Sequence, residues 1–419
     1  MTQSPATSIA DGDRALGGFE RFFWLINHNS PSHFVCAAEI AGPTTHRGWA
    51  AAADAVQARH PLLSACIEAA ADGAVRFRRE AGARLPVRVV PLATSSDWMA
   101  EVAREMATPF DARTAPLARL TVLHGADRSV LVFASHHSIG DGIAVAYAVR
   151  DLLRALSGET LEPLPWPASA EELLAQCAPA SPPDAGAPAA AAPVVPGVYR
   201  NGGSTTPVVD GRRLSIDLTT KLRERARHEG TTVHGALCAS AVVAARTMAG
   251  DWSARTVRIL SPVDIRELVG VTDDYGLRLS AGLAAMEPAG DASFWDLARR
   301  ARAGLIGAKT FERTAPLLAA ITGVLGGSVD APAAGQFAAH AFPYEMMVTN
   351  LGTLPFDTSF GALELTTLWG PAFLVGYEGE QTIGVATTNG ALALLHTSHS
   401  PIPSLLATME RLLLSACTA

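Results

Sequence analysis

In HHSIGDG, residues 136–142, two adjacent histidines precede an Asp-Gly pair. An imidazole with an ordinary pKa of about 6.5 can take the proton of an alcohol or amine as it attacks a carbonyl. That requires one ring nitrogen to be held and the other to face the substrate. Strand alternation puts neighbouring side chains on opposite faces, so one histidine of the pair is the base. His137, nearer the turn, is the candidate, and His136 reads as a packed histidine bonded to backbone. Asp141 has three readings: it orients His137, it caps the helix that begins at Ile143, or it pairs with a distant arginine and clamps the turn. Gly142 permits close approach at the corner, or is a plain turn glycine.

Other chemistries find less support. A metal centre needs further ligands, and the remaining histidines form no H-x-E or H-x-x-x-H pattern. Ser135 and Ser138 lie in no G-x-S-x-G elbow, and there is no Walker-type or dinucleotide glycine loop. No metal is expected.

The elements around the motif must position it. SVLVFAS is β-branched and apolar over a strand's length, and IAVAYAVRDLLRALSG has helical periodicity ending at Gly158. The motif therefore occupies a strand-to-helix turn. Upstream, FERFFWLINH reads as a short helix or turn, FVCAAEIAG as a strand, WAAAADAVQAR as a helix broken at Pro61, and LLSACIEA with AVRFRRE as strands around an ADG turn at 71–73. WMAEVAREMATPF is helical and LARLTVLHG a strand. Residues 164–210 are rich in Ala and Pro and read as an extended or partly disordered crossover. Beyond it come strand RRLSIDL, helix KLRERARHEG, helix TTVHGALCASAVVAARTMAG capped by Thr231 or Thr232, strand TVRILSPVDIR, helix SFWDLARRARAGLIGAK, strand EMMVTNLG, β runs at LELTTLWG, TIGVATTNG and ALALLHTS, and a last helix PSLLATMERLLLSA. Strand and helix alternate throughout, so the fold class is α/β. The division is a lobe at 1–163, a linker at 164–210 and a second lobe at 211–419.

The chain has 419 residues, 48 % hydrophobic, with a net charge of −7. It carries no global basic field, which argues against nucleic acid. Its five cysteines are scattered without C-x-x-C spacing, as reduced packing cysteines would be. The N-terminus lacks the basic start and apolar run of a secretory signal, and no apolar run approaches a membrane span. The expectation is a soluble, cytoplasmic protein.

The pattern His-His-x-x-x-Asp-Gly at such a corner resembles the superfamily of chloramphenicol acetyltransferase-like acyltransferases and nonribosomal peptide condensation domains. ARHPLLSACIE, TTVHGALCASAVVAA, SPVDIRELVG and VTNLGTLPF resemble further signatures of that superfamily in the same order, so the resemblance runs from about residue 14 to the end. Length and the Pro-Val-Asp-x-Arg segment look most like stand-alone acyltransferases associated with polyketides, such as phthiocerol dimycocerosyl transferase. The Asp-Phe-Gly-Trp-Gly motif of plant members is missing; LWGPAF stands in the comparable region.

The resemblance implies two lobes with an active-site tunnel between them and His137 as general base. It implies that Asp141 points away from substrate and pairs with Arg266 of the second lobe. Gly142 would keep a donor channel open, and Asn350 and Ser138 would contact substrate or oxyanion. It further implies direct acyl transfer to an alcohol or amine acceptor, with no cofactor bound and acyl-coenzyme A or a phosphopantetheine-linked acyl thioester as co-substrate. An acyl or peptidyl carrier protein is the implied partner, for which Arg76, Arg78 and Arg79, or Arg299, Arg300 and Arg302, are candidate docking patches. Two alternatives stand beside this: a non-catalytic docking module for a carrier protein, and a cyclisation-type enzyme on a tethered intermediate.

Overall fold

The computed structural model describes residues 13–70, 73–94, 96–177, 195–200, 206–288, 290, 292–327 and 329–418. Residues 71 and 72 of the expected turn at 71–73 and much of the Ala/Pro-rich crossover lie outside them.

The continuous apolar run of SVLVFAS is explained by burial on both faces. Its strand, Arg128–Ser135, sits inside a six-stranded sheet ordered Ser359–Phe360, Leu363–Ala372, Phe34–Ala41, Arg128–Ser135, Ala118–His124, Val87–Pro91. Leu131 and Phe133 face one core with Trp49, Val145 and Leu152 of the helices His46–Arg59 and Gly142–Leu156. Val130, Val132 and Ala134 face a second core with Trp98, Val102 and Met106 of the helix Asp97–Met106. A strand covered on both sides cannot alternate apolar with polar.

A second six-stranded sheet has the order Leu279–Met286, Val257–Asp264, Met346–Thr353, Gln381–Thr388, Ala391–Ser398, Val208–Arg213. The helices Ile216–His228, Val233–Met248, Phe294–Ala303 and Leu405–Thr418 bury Leu222, Val242, Ala298 and Met409 against it. Thr232 is the residue that caps Val233–Met248, accepting from the Gly235 N–H at 3.0 Å. A small sheet of Asp13–Ala15, Val75–Arg79 and Ala65–Ala69 flanks the first lobe.

Three expectations are corrected. RRLSIDL is not one strand: the strand ends at Arg213, and Ser215 caps a helix from Ile216 by accepting from the Leu218 N–H at 3.1 Å. The stretch 164–210 is not wholly extended, since Ala170–Gln176 is a helix closed by a Ser169/Glu172 capping box. Nor does the second lobe hold all of 211–419. Strand Leu363–Ala372 pairs antiparallel with Phe34–Ala41 in the first sheet, with Trp369 opposite Ala37. There Leu365 and Leu368 complete the first lobe's core, and the Trp369 Nε1–H donates to Glu39 Oε1 at 2.7 Å. The sequence reading also assigns nothing between 310 and 344, where helices Phe311–Leu325 and Ala331–Ala341 lie.

The same crossing strand lies tight against the second sheet at Gly384. A Cβ there would stand 2.2 Å from the Pro371 carbonyl oxygen and 2.7 Å from the Gly370 carbonyl carbon, both backbone atoms. Gly384→Ala is expected to cost about 1–3 kcal/mol, read as a fall in the urea midpoint with an unchanged m-value.

Candidate active site

The strand Arg128–Ser135 delivers the motif and the helix Gly142–Leu156 receives it, so residues 136–141 are held at both ends. The His136 N–H donates to the Leu117 carbonyl at 2.9 Å, anchoring the entry to the turn. The His136 ring is 1 % exposed and its Nδ1 accepts from the Ser138 N–H at 3.2 Å. An imidazole nitrogen that accepts carries no proton, so this tautomer has its hydrogen on Nε2. Burial drives its pKa down to about 3, and the ring is neutral.

His137 is the partly exposed residue in this buried turn. Its Nδ1 lies 3.0 Å from the Gly140 carbonyl oxygen. A carbonyl can only accept, so Nδ1 carries the proton and Nε2 keeps the lone pair. Burial lowers its pKa to about 4, partly opposed by the Asp141 carboxylate. The resting ring is a neutral base with its tautomer set.

Asp141 performs two of its three candidate tasks at once. Oδ1 accepts from the Ala144 N–H at 2.9 Å and caps the helix. Oδ2 accepts from Arg266 Nη1 at 3.0 Å and from the Arg278 N–H at 2.8 Å, both on the second lobe. The task of orienting His137 falls instead to the Gly140 carbonyl. Arg266, 3 % exposed, also donates to Asp264 Oδ1 at 2.9 Å and to the Gly276 carbonyl at 2.9 Å. The arginine and its backbone donors hold the Asp141 carboxyl below the usual carboxylate range despite burial.

More of the second lobe supports the turn than the motif reveals. Tyr275 is 2 % exposed, lies against Gly140 and donates from its hydroxyl to Ser135 Oγ at 2.8 Å. Asp273 pairs with Arg59 at 2.8 Å and with Arg150, while Arg59 and His60 both bond Asp151, at 2.8 and 2.9 Å. His60 is thus fully buried scaffold. At Gly142 a Cβ would meet Pro371 Cγ at 2.6 Å and Leu351 Cδ2 at 2.7 Å, so the glycine is what lets the crossing strand pass over the corner.

A cavity of about 540 Å³ opens between the lobes, lined by His137, Gly142, Phe23 and Phe34 on one side and by Met347, Asn350 and Phe342 on the other. Asn350 Oδ1 accepts from the Gly352 N–H at 2.8 Å, so what the side chain offers the cavity is its amide N–H. Ser138 is a correction: it is fully buried, its hydroxyl donates to the Glu20 carbonyl at 2.7 Å, and it does not line the cavity. Phe23, on the stretch FERFFWLINH, forms part of the wall. Of the two arginine patches, Arg299 is paired with Glu229 and Asp296, and Arg302 lies at the cavity. A second cavity of about 490 Å³ adjoins the first across residues 373–377: Phe373, Val375 and Tyr377 face one, Leu374 and Gly376 the other.

Among the described residues, no group of three or more His, Cys, Asp or Glu is placed to hold a metal ion, and no helix is long and apolar enough to cross a membrane.

Residues 203–370 match the family described as phthiocerol/phthiodiolone dimycocerosyl transferase C-terminus. Polyketide synthase associated protein 5 from Mycobacterium tuberculosis superposes with a TM-score of 0.67 at 18 % identity, over 97 % of this chain and 98 % of that one. The condensation domain of the monacolin K polyketide synthase MokA gives 0.66 at 14 % identity over 97 % of each chain. Trichothecene 15-O-acetyltransferase from Fusarium sporotrichioides gives 0.64 at 13 % identity, over 99 % and 97 %. Tyrocidine synthase 3 from Brevibacillus parabrevis is 29 % identical over 140 residues, a stretch covering 33 % of this chain and 2 % of that synthase.

Proposed function

We propose that this chain, which has the two-lobed fold shared by chloramphenicol acetyltransferase-like acyltransferases and condensation domains, transfers an acyl group from a thioester to an alcohol or amine. The observation that carries the reading is the state of His137: Nδ1–H held by the Gly140 carbonyl, Nε2 basic, on the wall of an interlobe cavity. His137 Nε2 takes the acceptor's proton as its oxygen or nitrogen attacks the thioester carbonyl. The tetrahedral oxyanion then collapses, the C–S bond breaks, and the imidazolium returns the proton to the departing thiolate. An ester or amide and a free thiol result, without an acyl-enzyme.

Coenzyme A or the phosphopantetheine of a carrier protein would present the thioester, and the Asn350 amide is the group we assign to the oxyanion. The two adjoining cavities support separate approaches for donor and acceptor. The apolar walls around His137 hold water back from the thioester, and binding both reactants supplies much of the rate. The test is intact-mass detection of products from a panel of acyl-coenzyme A and acyl-carrier donors against alcohols and amines. Product names the donor class. Absence of transfer from every donor would leave the docking-module reading.

A pH dependence follows from five histidines whose surroundings disfavour the charged ring. His33, His137, His234 and His396 are each lowered to about 4 by burial and His136 to about 3. Between about 4 and their ordinary value near 6.5, the unfolded chain binds protons that the folded chain refuses. Stability therefore falls as pH drops through that window. Glu380, pushed up to about 7 by burial, works in the opposite sense and offsets one of them. Urea midpoints are expected to decline steadily from pH 6.5 to 4, and the acid limb of the transfer rate to lie below 6.5.

A further inference from the structure

The helix Gly18–Ile26 brings a second ring to the base. Phe23 stacks on the His137 imidazole with centroids 3.8 Å apart and planes at 8°. Phe34 lies at 4.7 Å and Phe373 meets the imidazole edge-on at 5.1 Å. Phe23 is itself held by Phe22 at 5.3 Å and by Phe19 and Phe373 at 6.1 Å. Its helix is tied to the catalytic turn, because the Ser138 hydroxyl donates to the Glu20 carbonyl. The same glutamate is fixed through its carboxylate by two bonds of 2.6 Å from Arg14 and one of 2.7 Å from the Gly17 N–H. Buried Ser138, absent from the cavity, thus couples the turn to the ring that covers the imidazole.

We infer that Phe23 is a positioning residue for His137, fixing the plane of its imidazole and stabilising the imidazolium through the negative face of its own ring. The inference rests on the reading of His137 as general base. A neutral imidazole suits this apolar box. The imidazolium formed during transfer does not, and the Asp141 oxygens are committed to Ala144, Arg266 and Arg278. A face-on aromatic ring adds its quadrupole to the more distant field of that carboxylate, an interaction that strengthens out of water. It acts on the protonated form, which exists after attack begins, and so favours the transition state over the resting state.

The other titratable and charged groups around this turn and its cavity are Glu20 with Arg14, His33, His136, Asp141 with Arg266 and Arg278, and, on the cavity wall, His234, Asp264, Arg302, Lys309, Tyr344 and Tyr377. All of them stay in place when the electron density of ring 23 alone is changed.

The experiment replaces Phe23 with mono-, di- and trifluorophenylalanine and with leucine in the full chain. His137 is followed by NMR of ¹³Cε1-labelled histidine, assigned with His137→Gln. Phe23→Leu is expected to lower the His137 pKa by roughly half a unit or more. The fluorinated rings should lower it stepwise and reduce kcat in parallel, with KM unchanged. A merely space-filling Phe23 would leave pKa and kcat level across the fluorinated series, which overturns the inference. Should Phe23→Leu fail to fold, the fluorinated rings, close to phenylalanine in shape, still decide it. A stepwise pKa without acyl transfer in the wild type would uphold the stacking and sink the reaction.

Discussion

His137→Ala is expected to cut acyl transfer at least about a hundredfold, the usual contribution of a positioned general base, while leaving the near-ultraviolet circular dichroism and urea midpoint close to wild type. The fold should tolerate it because the side chain is partly exposed and its one hydrogen bond runs to a carbonyl within the same turn. Single-turnover transfer from the donor identified by the panel, monitored by intact mass, is the measurement. His137→Gln should be equally slow, since an amide can fill the space and donate an N–H to the Gly140 carbonyl but has no basic nitrogen to take the acceptor's proton. Equal rates in mutant and wild type would remove His137 from the chemistry and recast the corner as scaffold.

The second large effect falls on stability. Asp141→Ala removes the helix cap, the acceptor of the Arg278 N–H and one partner of Arg266, and leaves a guanidinium with side-chain exposure of 4 % to Asp264, the more distant Asp274 and the Gly276 carbonyl. Breaking one side of a buried pair typically costs about 3–5 kcal/mol, and the lost cap about 1 more. Arg266→Ala should come lower in that range, because Asp141 keeps two backbone donors. Urea unfolding of the two single variants and of the double variant Asp141→Ala with Arg266→Ala separates the terms. The double variant is expected to be less damaged than the sum of the singles, because neither charge is then stranded. Strict additivity would mean that the two side chains do not act as a pair.

Local pattern made the corner legible. SVLVFAS, the two glycines and the periodicity of IAVAYAVRDLL are each sufficient to place a strand, a turn and a helix, and those elements stand where the reading put them. What hydrogen-bonds to Asp141 was not legible from pattern, since Arg266 and Arg278 lie 125 and 137 residues away. Arg266 came from resemblance to the Pro-Val-Asp-x-Arg segment. Arg278 had no signal, because its contribution is a backbone N–H. Ser138 differs from the resemblance-based expectation for a related reason: the Glu20 carbonyl that accepts its hydrogen bond lies 118 residues away. Phe23 offered a weak signal in FERFF, an aromatic run denser than one helix face needs. The helices at 311–341 blurred because Gly and Pro interrupt an Ala-rich stretch in which apolar periodicity is faint.

The crossing strand Leu363–Ala372 has a consequence for how the chain reaches its folded form. Its bond from Trp369 to Glu39 closes a separation of 330 residues. At roughly 5–20 residues per second of ribosomal synthesis, Phe34–Ala41 waits on the order of tens of seconds with one flank open before its neighbour emerges. A bare apolar strand flank invites pairing with other chains. The nascent first lobe is thus a natural client for a chaperone, and expression at reduced temperature should raise the soluble yield of this protein more than that of one whose sheets close locally.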